Sequence, residues 1–261
     1  MTDPKGTTVS LALGSGGARG LAHIGVIHVL EEKGYRITSI AGSSVGALVG
    51  GIYAAGKLAE YEDWVRKLTR FDMVNLMDLA WVGGGLVKGD RIINTMRKLV
   101  GDQQIEDLRI PFTAIATELE SGREVWLSKG PLFDAIRSSC SLPLFFTPAK
   151  YKERMLVDGG VVNPVPIAPV FDDDADLTIG VNLGGKPSKV ESPGVKKDIG
   201  AYAVAYMVFE AMQNTIARQK LAAYPPDLII EIPRDAARTF DIDRAAEMIE
   251  IGRQAAQAAL S

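Results

Sequence analysis

One stretch, Ser39-Ile40-Ala41-Gly42-Ser43-Ser44-Val45-Gly46-Ala47-Leu48, is where a predicted strand, turn and helix of this chain meet. Its centre reads G-x-S-x-G, a pattern that forms a nucleophile elbow when it joins a strand to a helix. In such a turn the strained backbone lifts the central serine, here Ser44, clear of the sheet. The flanking Gly42 and Gly46 let neighbouring elements approach without a Cβ clash. The same pattern also suits an ordinary helix-opening turn, so a base and an oxyanion site must accompany it.

Composition indicates a globular protein with an ordinary core, since 47% of the 261 residues are hydrophobic and 23% are charged. Lys and Arg number 29 against 32 Asp and Glu, which gives no basic surplus for nucleic acid. A single cysteine, Cys140, excludes an internal disulfide and is typical of a small buried side chain in a reducing compartment. We see neither a signal-peptide core nor an apolar run of the roughly 20 residues that span a bilayer. These features predict a cytoplasmic protein, with contact to a membrane surface left open.

Alternating strands and helices predict one α/β domain over residues 1–261, with the motifs inside about 8–166. The unit of strand Thr8–Leu13, helix Leu21–Glu32 and strand Tyr35–Ala41 favours a parallel sheet with right-handed crossovers. Irregular loops are expected at Phe71–Lys88 and Gly184–Asp198. Further helices are predicted at Ser44–Ala55, Leu58–Thr69, Asp90–Val100 (capped by Asp90), Pro131–Ser139, Ile199–Ala223 and Arg244–Leu260. Further strands are predicted at Pro111–Glu118, Glu124–Leu127, Lys150–Val157, Leu177–Leu183 and Leu228–Ile232.

The glycine-rich loop Gly14–Gly20 follows the first strand and admits several interpretations. As a dinucleotide-binding loop it has Arg19 where the third glycine belongs, and the second strand ends without a carboxylate for a ribose. These departures disfavour an NADP-linked enzyme, and no Gly-Lys-Ser/Thr follows to make a P-loop. Consecutive glycines before a helix can instead turn backbone N–H groups toward one point and form an oxyanion hole. A tight strand-to-helix turn stays equally open.

A base for Ser44 must come from elsewhere in the chain. His23 and His28 both precede the serine, which excludes the chain order of an α/β-hydrolase and favours packing or surface roles. Asp158 ends an apolar strand and precedes two glycines, so we expect its side chain at a carboxyl edge of the sheet, where α/β sites form. Asp-Gly-Gly alone is also typical of a turn. We interpret the acidic run Asp172–Asp174 as solvated, and no spacing suggests a metal.

The three motifs in this order, Gly14–Gly20, Gly42–Gly46 and Asp158–Gly160, resemble the patatin-like phospholipase family and its bacterial branch. The resemblance implies a three-layer α/β/α sandwich with a mostly parallel sheet, and a Ser–Asp dyad without histidine. We expect no cofactor and no metal site. By position, Ser44 is then the nucleophile and Asp158 the base, while the oxyanion hole uses the N–H groups of Gly16 and Gly17. The supporting motif positions are Gly14, Arg19, Gly20, Gly42, Gly46, Gly159 and Gly160. The role of Arg19 is left open: its side chain either contacts an anion or anchors the structure. Ser15 stands where many members of the family have glycine.

The resemblance also implies the reaction. We expect hydrolysis of carboxylic esters of phospholipids, lysophospholipids or related acyl lipids through an acyl-enzyme. The alternatives are a thioesterase or general esterase with the same dyad, and a non-catalytic lipid-binding regulator. An acyl tunnel or ordinary core packing accounts equally well for Leu142, Leu144, Phe145 and Phe146. The stretch Trp81–Val87 is a candidate for lipid contact.

Overall fold

The computed structural model describes residues 5–76, 89–188 and 200–261, and its centre is a mixed β-sheet. The strands are β1 Thr8–Leu13, β2 Arg36–Ser43, β3 Phe112–Glu118, β4 Glu124–Leu127, β5 Ala149–Tyr151, β6 Arg154–Asp158, β7 Leu177–Gly185 and β8 Leu228–Pro233. They follow the order β5-β6-β3-β2-β1-β7-β8, with β4 also paired to β3. The strands β3, β2, β1, β7 and β8 are parallel, whereas β4, β5 and β6 join by antiparallel pairing.

Helices cover both faces of this sheet. They are α1 Ala22–Glu32, α2 Val45–Ala54, α3 Leu58–Val65, α4 Arg70–Leu76, α5 Asp90–Val100, α6 Leu132–Ser139, α7 Ala201–Ala223 and α8 Ala245–Ala259. Successive side chains of a strand point to opposite faces, so Val9, Leu11 and Leu13 of β1 pack into the core shared with α1, α2, α6 and α8. Ala12 faces the other way and packs with Ala217 of α7. The predicted three-layer α/β/α sandwich is therefore confirmed.

Several predicted boundaries need correction. Residues 71–76, predicted as loop, belong to α4, and the helix predicted to reach Thr69 ends at Val65. Gly184 and Gly185, also predicted as loop, extend β7 because Gly185 still pairs with Pro233 of β8. Leu21 closes a 3₁₀ turn that starts at Gly17 and precedes α1. Residues 77–88 of the first predicted loop, with the candidate lipid contact at 81–87, and residues 189–198 of the second lie outside the described residues, as does Ile199, where the long helix was predicted to begin.

The predicted cap of α5 is wrong by one residue. Gly89 occupies the cap position with a φ of 71°, and no side chain caps this helix end. Asp90 is the first helical residue, and its carboxylate accepts a hydrogen bond from Nε of Arg137 at 3.2 Å. Left-handed backbone at Gly89 accounts for the difference, because a glycine adopts that conformation without the cost that a Cβ brings.

The backbones of α1 and α8 touch at two glycines. A Cβ on Gly25 would lie 1.9 Å from the carbonyl oxygen of Ile249, and one on Gly252 would lie 2.0 Å from that of Ala22. Both of these obstacles are backbone atoms, so a side chain here must push the helices apart rather than displace a flexible neighbour.

We therefore expect Gly25→Ala to lower the free energy of unfolding by about 1–3 kcal/mol, despite the better helix propensity of alanine. Gly200→Ala is the matched control, because Gly200 has a φ of −62° and a Cβ added there would meet no heavy atom within 4 Å. Urea unfolding of both variants measures the difference. Equal midpoints for the two variants would contradict the close helix contact.

Candidate active site

Ser44 lies at the sharp turn between β2 and α2. Its φ of 55° and ψ of −125° form a strained conformation for a residue with a side chain. The turn leaves no room beside it, because a Cβ on Gly46 would lie 2.1 Å from the carbonyl oxygen of Leu13. A Cβ on Gly42 would lie 2.5 Å from the backbone of Ala47. The G-x-S-x-G spacing thus allows the turn by removing the two side chains that would block it.

The register of three strands brings Asp158 to this serine. Ser43 of β2 pairs with Ile115 of β3, and the next residue of β3, Ala116, pairs with Asp158 of β6. The sequence predicts Asp158 at the carboxyl end of a strand, and it is the last residue of β6, but this strand does not run parallel to β3 as its neighbour β2 does. Asp158 instead reaches Ser44 because the short β6 ends level with the end of β2.

The Ser44 hydroxyl donates a hydrogen bond to Oδ2 of Asp158 at 2.5 Å. The other carboxylate oxygen, Oδ1, accepts from the N–H of Gly160 at 2.7 Å. Asp158 is fully buried, and this burial raises the pKa of its carboxyl to about 7, although the hydrogen bonds from Ser44 and Gly160 act to lower it. The pair combines a hydroxyl with a carboxylate that exchanges its proton near neutral pH.

The end of α6 holds the peptide groups of Ser44. The N–H of Ser44 donates to Oγ of Ser139 at 2.9 Å, and its carbonyl accepts from the Cys140 thiol at 3.2 Å. Ser139 is fully buried, and burial raises the pKa of the Cys140 thiol well above its usual range. Neither contact was predicted. The only sequence signal is a run of hydroxyl and thiol side chains, Ser138 to Ser141, just before the largely apolar segment 142–146.

The glycine loop offers two unused N–H groups. Gly17 has a φ of 59° and lines the same pocket as Ser44, whereas Gly16, its neighbour, is not among the residues lining it. No acceptor within residues 5–76, 89–188 and 200–261 takes the N–H of Gly16 or Gly17. The flanking N–H groups donate to backbone carbonyls in the pairs Gly14–Val181, Ser15–Pro164 and Ala18–Thr239.

The other glycines of the motifs leave no room for a side chain. A Cβ would lie within 2.6 Å of a neighbouring heavy atom at each of Gly14, Gly20, Gly159 and Gly160.

Arg19 anchors this loop from the inside. Its Nε donates to the carbonyl of Gly16 at 3.1 Å, and Nη1 donates to the carbonyl of Arg234 at 2.7 Å. Nη2 pairs with the carboxylate of Glu210 on α7 at 2.8 Å. The guanidinium is buried and engaged at all three nitrogens, so of the two roles left open for Arg19 the geometry favours anchoring.

An apolar cavity of about 150 Å³ opens beside Ser44. Two of the four predicted tunnel residues, Leu142 and Phe146, line it together with Leu48, Tyr61 and Phe240. The other two do not line it: Leu144 is exposed, and the Phe145 ring packs against the rings of Tyr206 and Phe240. The wall residues Thr239, Phe240 and Ile242 precede α8, in a region where the sequence carried no motif.

Neither histidine is bonded to Ser44 or Asp158. The His23 ring is buried, and its Nε2 donates to the carbonyl of Gly14 at 2.9 Å, while burial lowers its pKa to about 4. His28 pairs with Glu62 at 3.1 Å. Within the described part of the chain, no group of three or more His, Cys, Asp or Glu side chains is arranged to hold a metal ion.

Known proteins resemble this chain over most of its length. The family model for patatin-like phospholipase matches residues 11–171. An uncharacterised NTE family protein of Mycobacterium tuberculosis is 35% identical over an alignment that covers 97% of this chain and 91% of the relative. The Lysophospholipase nte1 of Emericella nidulans is 32% identical over 187 residues, which cover 69% of this chain but 12% of the fungal protein. The Neuropathy target esterase sws of Drosophila melanogaster is 30% identical over 188 residues, 69% of this chain and 13% of the fly protein.

A solved structure supports the fold. The crystal structure of VipD from Legionella pneumophila superposes with a TM-score of 0.63, covering 98% of this chain and 67% of VipD. Sequence identity is 14%, so this likeness concerns the fold alone. The family match and the relatives together place the sequence: the chain belongs to the patatin-like phospholipase family, a family of enzymes that hydrolyse lipid esters.

Proposed function

We propose that this chain is a serine acyl hydrolase that cleaves carboxylic esters of lysophospholipids or phospholipids through Ser44 and Asp158. The observation that carries the proposal is the hydrogen bond from the Ser44 hydroxyl to the buried Asp158 carboxylate. A serine hydroxyl becomes a useful nucleophile only when an adjacent base takes its proton, and a base with a pKa near the working pH does so best. The pKa of Asp158, raised to about 7 by burial, meets this requirement.

The reaction follows from these positions. Asp158 accepts the Ser44 proton while Oγ attacks the ester carbonyl carbon, and the resulting oxyanion receives hydrogen bonds from the N–H groups of Gly16 and Gly17. The tetrahedral intermediate collapses, the alcohol leaves with the proton from Asp158, and the acyl group stays on Ser44. Asp158 then takes a proton from water, which attacks the acyl carbon. As the fatty acid leaves, Asp158 returns this proton to the Ser44 oxygen, and both groups regain their starting state.

The substrate class rests on the cavity and the relatives. The cavity beside Ser44 is lined mainly by apolar side chains, which suits an acyl chain next to the scissile carbonyl. The fungal relative is named a lysophospholipase, which favours a monoacyl substrate for this chain as well. A thioesterase would use the same dyad. A non-catalytic lipid-binding role is disfavoured because it would not need the Ser44–Asp158 hydrogen bond.

Fluorophosphonate labelling tests this function. We expect the probe to modify Ser44, identified by peptide mass spectrometry, and the unlabelled enzyme to release fatty acid from lysophosphatidylcholine faster than from an acyl-CoA. Faster turnover of the acyl-CoA would favour the thioesterase. Folded wild-type protein that neither reacts with the probe nor hydrolyses any of these esters would overturn the proposal.

The contact from α6 gives a separate prediction. Ser139→Ala removes the acceptor of the Ser44 N–H and leaves this partly buried donor unpaired at a strained residue. An unpaired buried donor costs about 1–3 kcal/mol, so we expect kcat to fall roughly 10- to 100-fold with little change in KM. Steady-state kinetics on a soluble ester measures this.

Ser138→Ala is the matched control for Ser139→Ala. The Ser138 hydroxyl is buried on the same helix end, but it donates to the carbonyl of Asp134 at 2.8 Å and does not contact Ser44. We expect its kcat to stay near that of wild type. An equal loss of kcat in both variants would mean that Ser139 supports α6 rather than the turn at Ser44.

A further inference from the structure

The outward face of α7 is apolar and uncharged over residues 201–212. Val204, Met207, Val208 and Met212, which we call the α7 stripe, are 45%, 56%, 52% and 57% exposed. Their spacing of three, four and eight residues from Val204 places them on one side of the helix. The only charged residue between 201 and 217 is Glu210, which turns inward to Arg19. An exposed apolar surface of this kind indicates a contact surface for something apolar.

The inward face of the same helix section supports the candidate active site. Tyr206 hydrogen-bonds through its hydroxyl to that of Thr239, which lines the cavity beside Ser44. The Tyr206 ring also meets that of Phe145 edge-on, with ring centres 5.6 Å apart. Glu210 holds Arg19 and so the glycine loop. The α7 stripe is therefore separated from the cavity wall and the glycine loop by the thickness of one helix.

We propose that the α7 stripe is the surface on which this hydrolase rests against the lipid layer that contains its substrate. The inference depends on the proposed function, because a lipid ester in a bilayer or micelle must reach Ser44 from an apolar phase. Side chains of Val and Met enter such a phase without leaving any hydrogen-bonding group or charge unpaired. The stripe also lacks the Trp, Tyr and Arg anchors that usually dominate protein–protein contacts.

A positive charge at the end of the stripe, on Arg218, is what contact with a lipid layer would favour. Arg218 lies on the same side of α7, six residues or about 9 Å beyond Met212. Its side chain is exposed and donates to the neutral hydroxyl of Thr215 at 3.1 Å, and within the described residues it forms no ion pair. With the stripe in the acyl region, this guanidinium reaches the level of the headgroup phosphates. Within the described part of the chain, no helix is both long and apolar enough to cross a bilayer.

A pair of matched double variants tests the proposal. Met207→Asp/Val208→Asp places two charges in the stripe, outside the candidate active site. Phe171→Asp/Tyr224→Asp is the control, because both residues are 39% exposed and their rings pack together past the carboxyl end of α7. The two variants therefore lose the same number of exposed apolar side chains and gain the same charge.

Sedimentation with vesicles of phosphatidylcholine and phosphatidylglycerol gives the binding of each protein. We expect the vesicle affinity of Met207→Asp/Val208→Asp to be at least about tenfold lower than that of wild type. Its hydrolysis of vesicle lipid should be correspondingly slower. Its kcat/KM on a soluble short-chain ester should equal that of wild type, which also verifies the fold. The control should resemble wild type in both assays.

Other outcomes overturn the inference separately from the function. Unchanged vesicle binding by Met207→Asp/Val208→Asp, with normal turnover of the soluble ester, would reject the stripe as a lipid contact and leave the hydrolase intact. A wild-type dimer in analytical ultracentrifugation that this variant dissociates, without any change in vesicle binding, would assign the stripe to a second copy. Absence of soluble-ester turnover in wild type would count against the proposed function, and vesicle binding would still test the surface.

Discussion

Replacing Ser44 with alanine is expected to lower kcat for ester hydrolysis by roughly 10⁴-fold or more, since the change removes the proposed nucleophile. Within the described residues, no other side-chain hydroxyl donates to the Asp158 carboxylate, so no neighbour is placed to replace Ser44. Rates on a soluble ester, together with fluorophosphonate labelling, measure the loss. Residual rates above those without enzyme would come from the oxyanion donors and the cavity.

The neighbouring serine provides the control for Ser44→Ala. Ser43 is fully buried and precedes Ser44 in the G-x-S-x-G pattern, but its hydroxyl has no hydrogen-bond partner within the part of the chain that the structure describes. We expect Ser43→Ala to keep most of the wild-type activity and the fluorophosphonate label. If Ser43→Ala lost as much activity as Ser44→Ala, or if Ser44→Ala kept its label, the assignment of the nucleophile would be wrong.

The sequence predicted those features that depend on short stretches of chain. The turn at Ser44 was predictable because Gly42 and Gly46 remove the side chains that would collide with Ala47 and Leu13, as the observed distances bear out. Strand β1 was predictable because its apolar run and the glycine after it are both local signals. Asp158 was singled out because it ends a predicted strand, and it is the last residue of β6, although the antiparallel direction of β6 was not predicted.

Contacts between distant parts of the chain were beyond the reach of such patterns. Arg19 is fixed by Glu210, 191 residues away, and the Ser44 N–H is bonded to Ser139, 95 residues away. Either pair could be recognised only after the sheet order had brought α6 and α7 beside the glycine loop and the turn. The same holds for Thr239 and Phe240, which complete the cavity from a segment without regular hydrophobic spacing.

Asp158→Asn is expected to abolish hydrolysis nearly as completely as Ser44→Ala, by roughly 10³-fold or more. Asparagine can keep the hydrogen bond from the Gly160 N–H through its Oδ1 atom. Its amide NH₂ then faces the Ser44 hydroxyl and donates to it, so it cannot accept the proton.

In wild type, kcat/KM should fall about tenfold per pH unit below the Asp158 pKa of about 7, because only the ionised carboxylate acts as a base. A wild-type rate that is flat between pH 5 and 8 would contradict this role for Asp158.

The same substitution should make the protein more stable at alkaline pH. Burial raises the pKa of Asp158 from 3.8 to about 7, so between these values the folded state binds a proton that the unfolded state has lost. The free energy of unfolding therefore falls as pH rises through this window, by roughly 4 kcal/mol for this carboxyl, and stays lower above it. Asparagine carries no charge to desolvate, so Asp158→Asn should exceed wild type in stability at pH 8 and approach it near pH 4.

Urea unfolding across this pH range measures the effect, with Ser44→Ala as the inactive variant that keeps the carboxyl. Loss of activity alone does not distinguish a missing base from a damaged fold, but loss of activity together with a gain in stability does. A buried carboxylate that destabilises the fold would then be retained for its chemistry, as expected of a base that must ionise away from water. If Asp158→Asn were less stable than wild type at pH 8, Asp158 would be stabilising the fold as an anion, and its role as a base tuned by burial would be refuted.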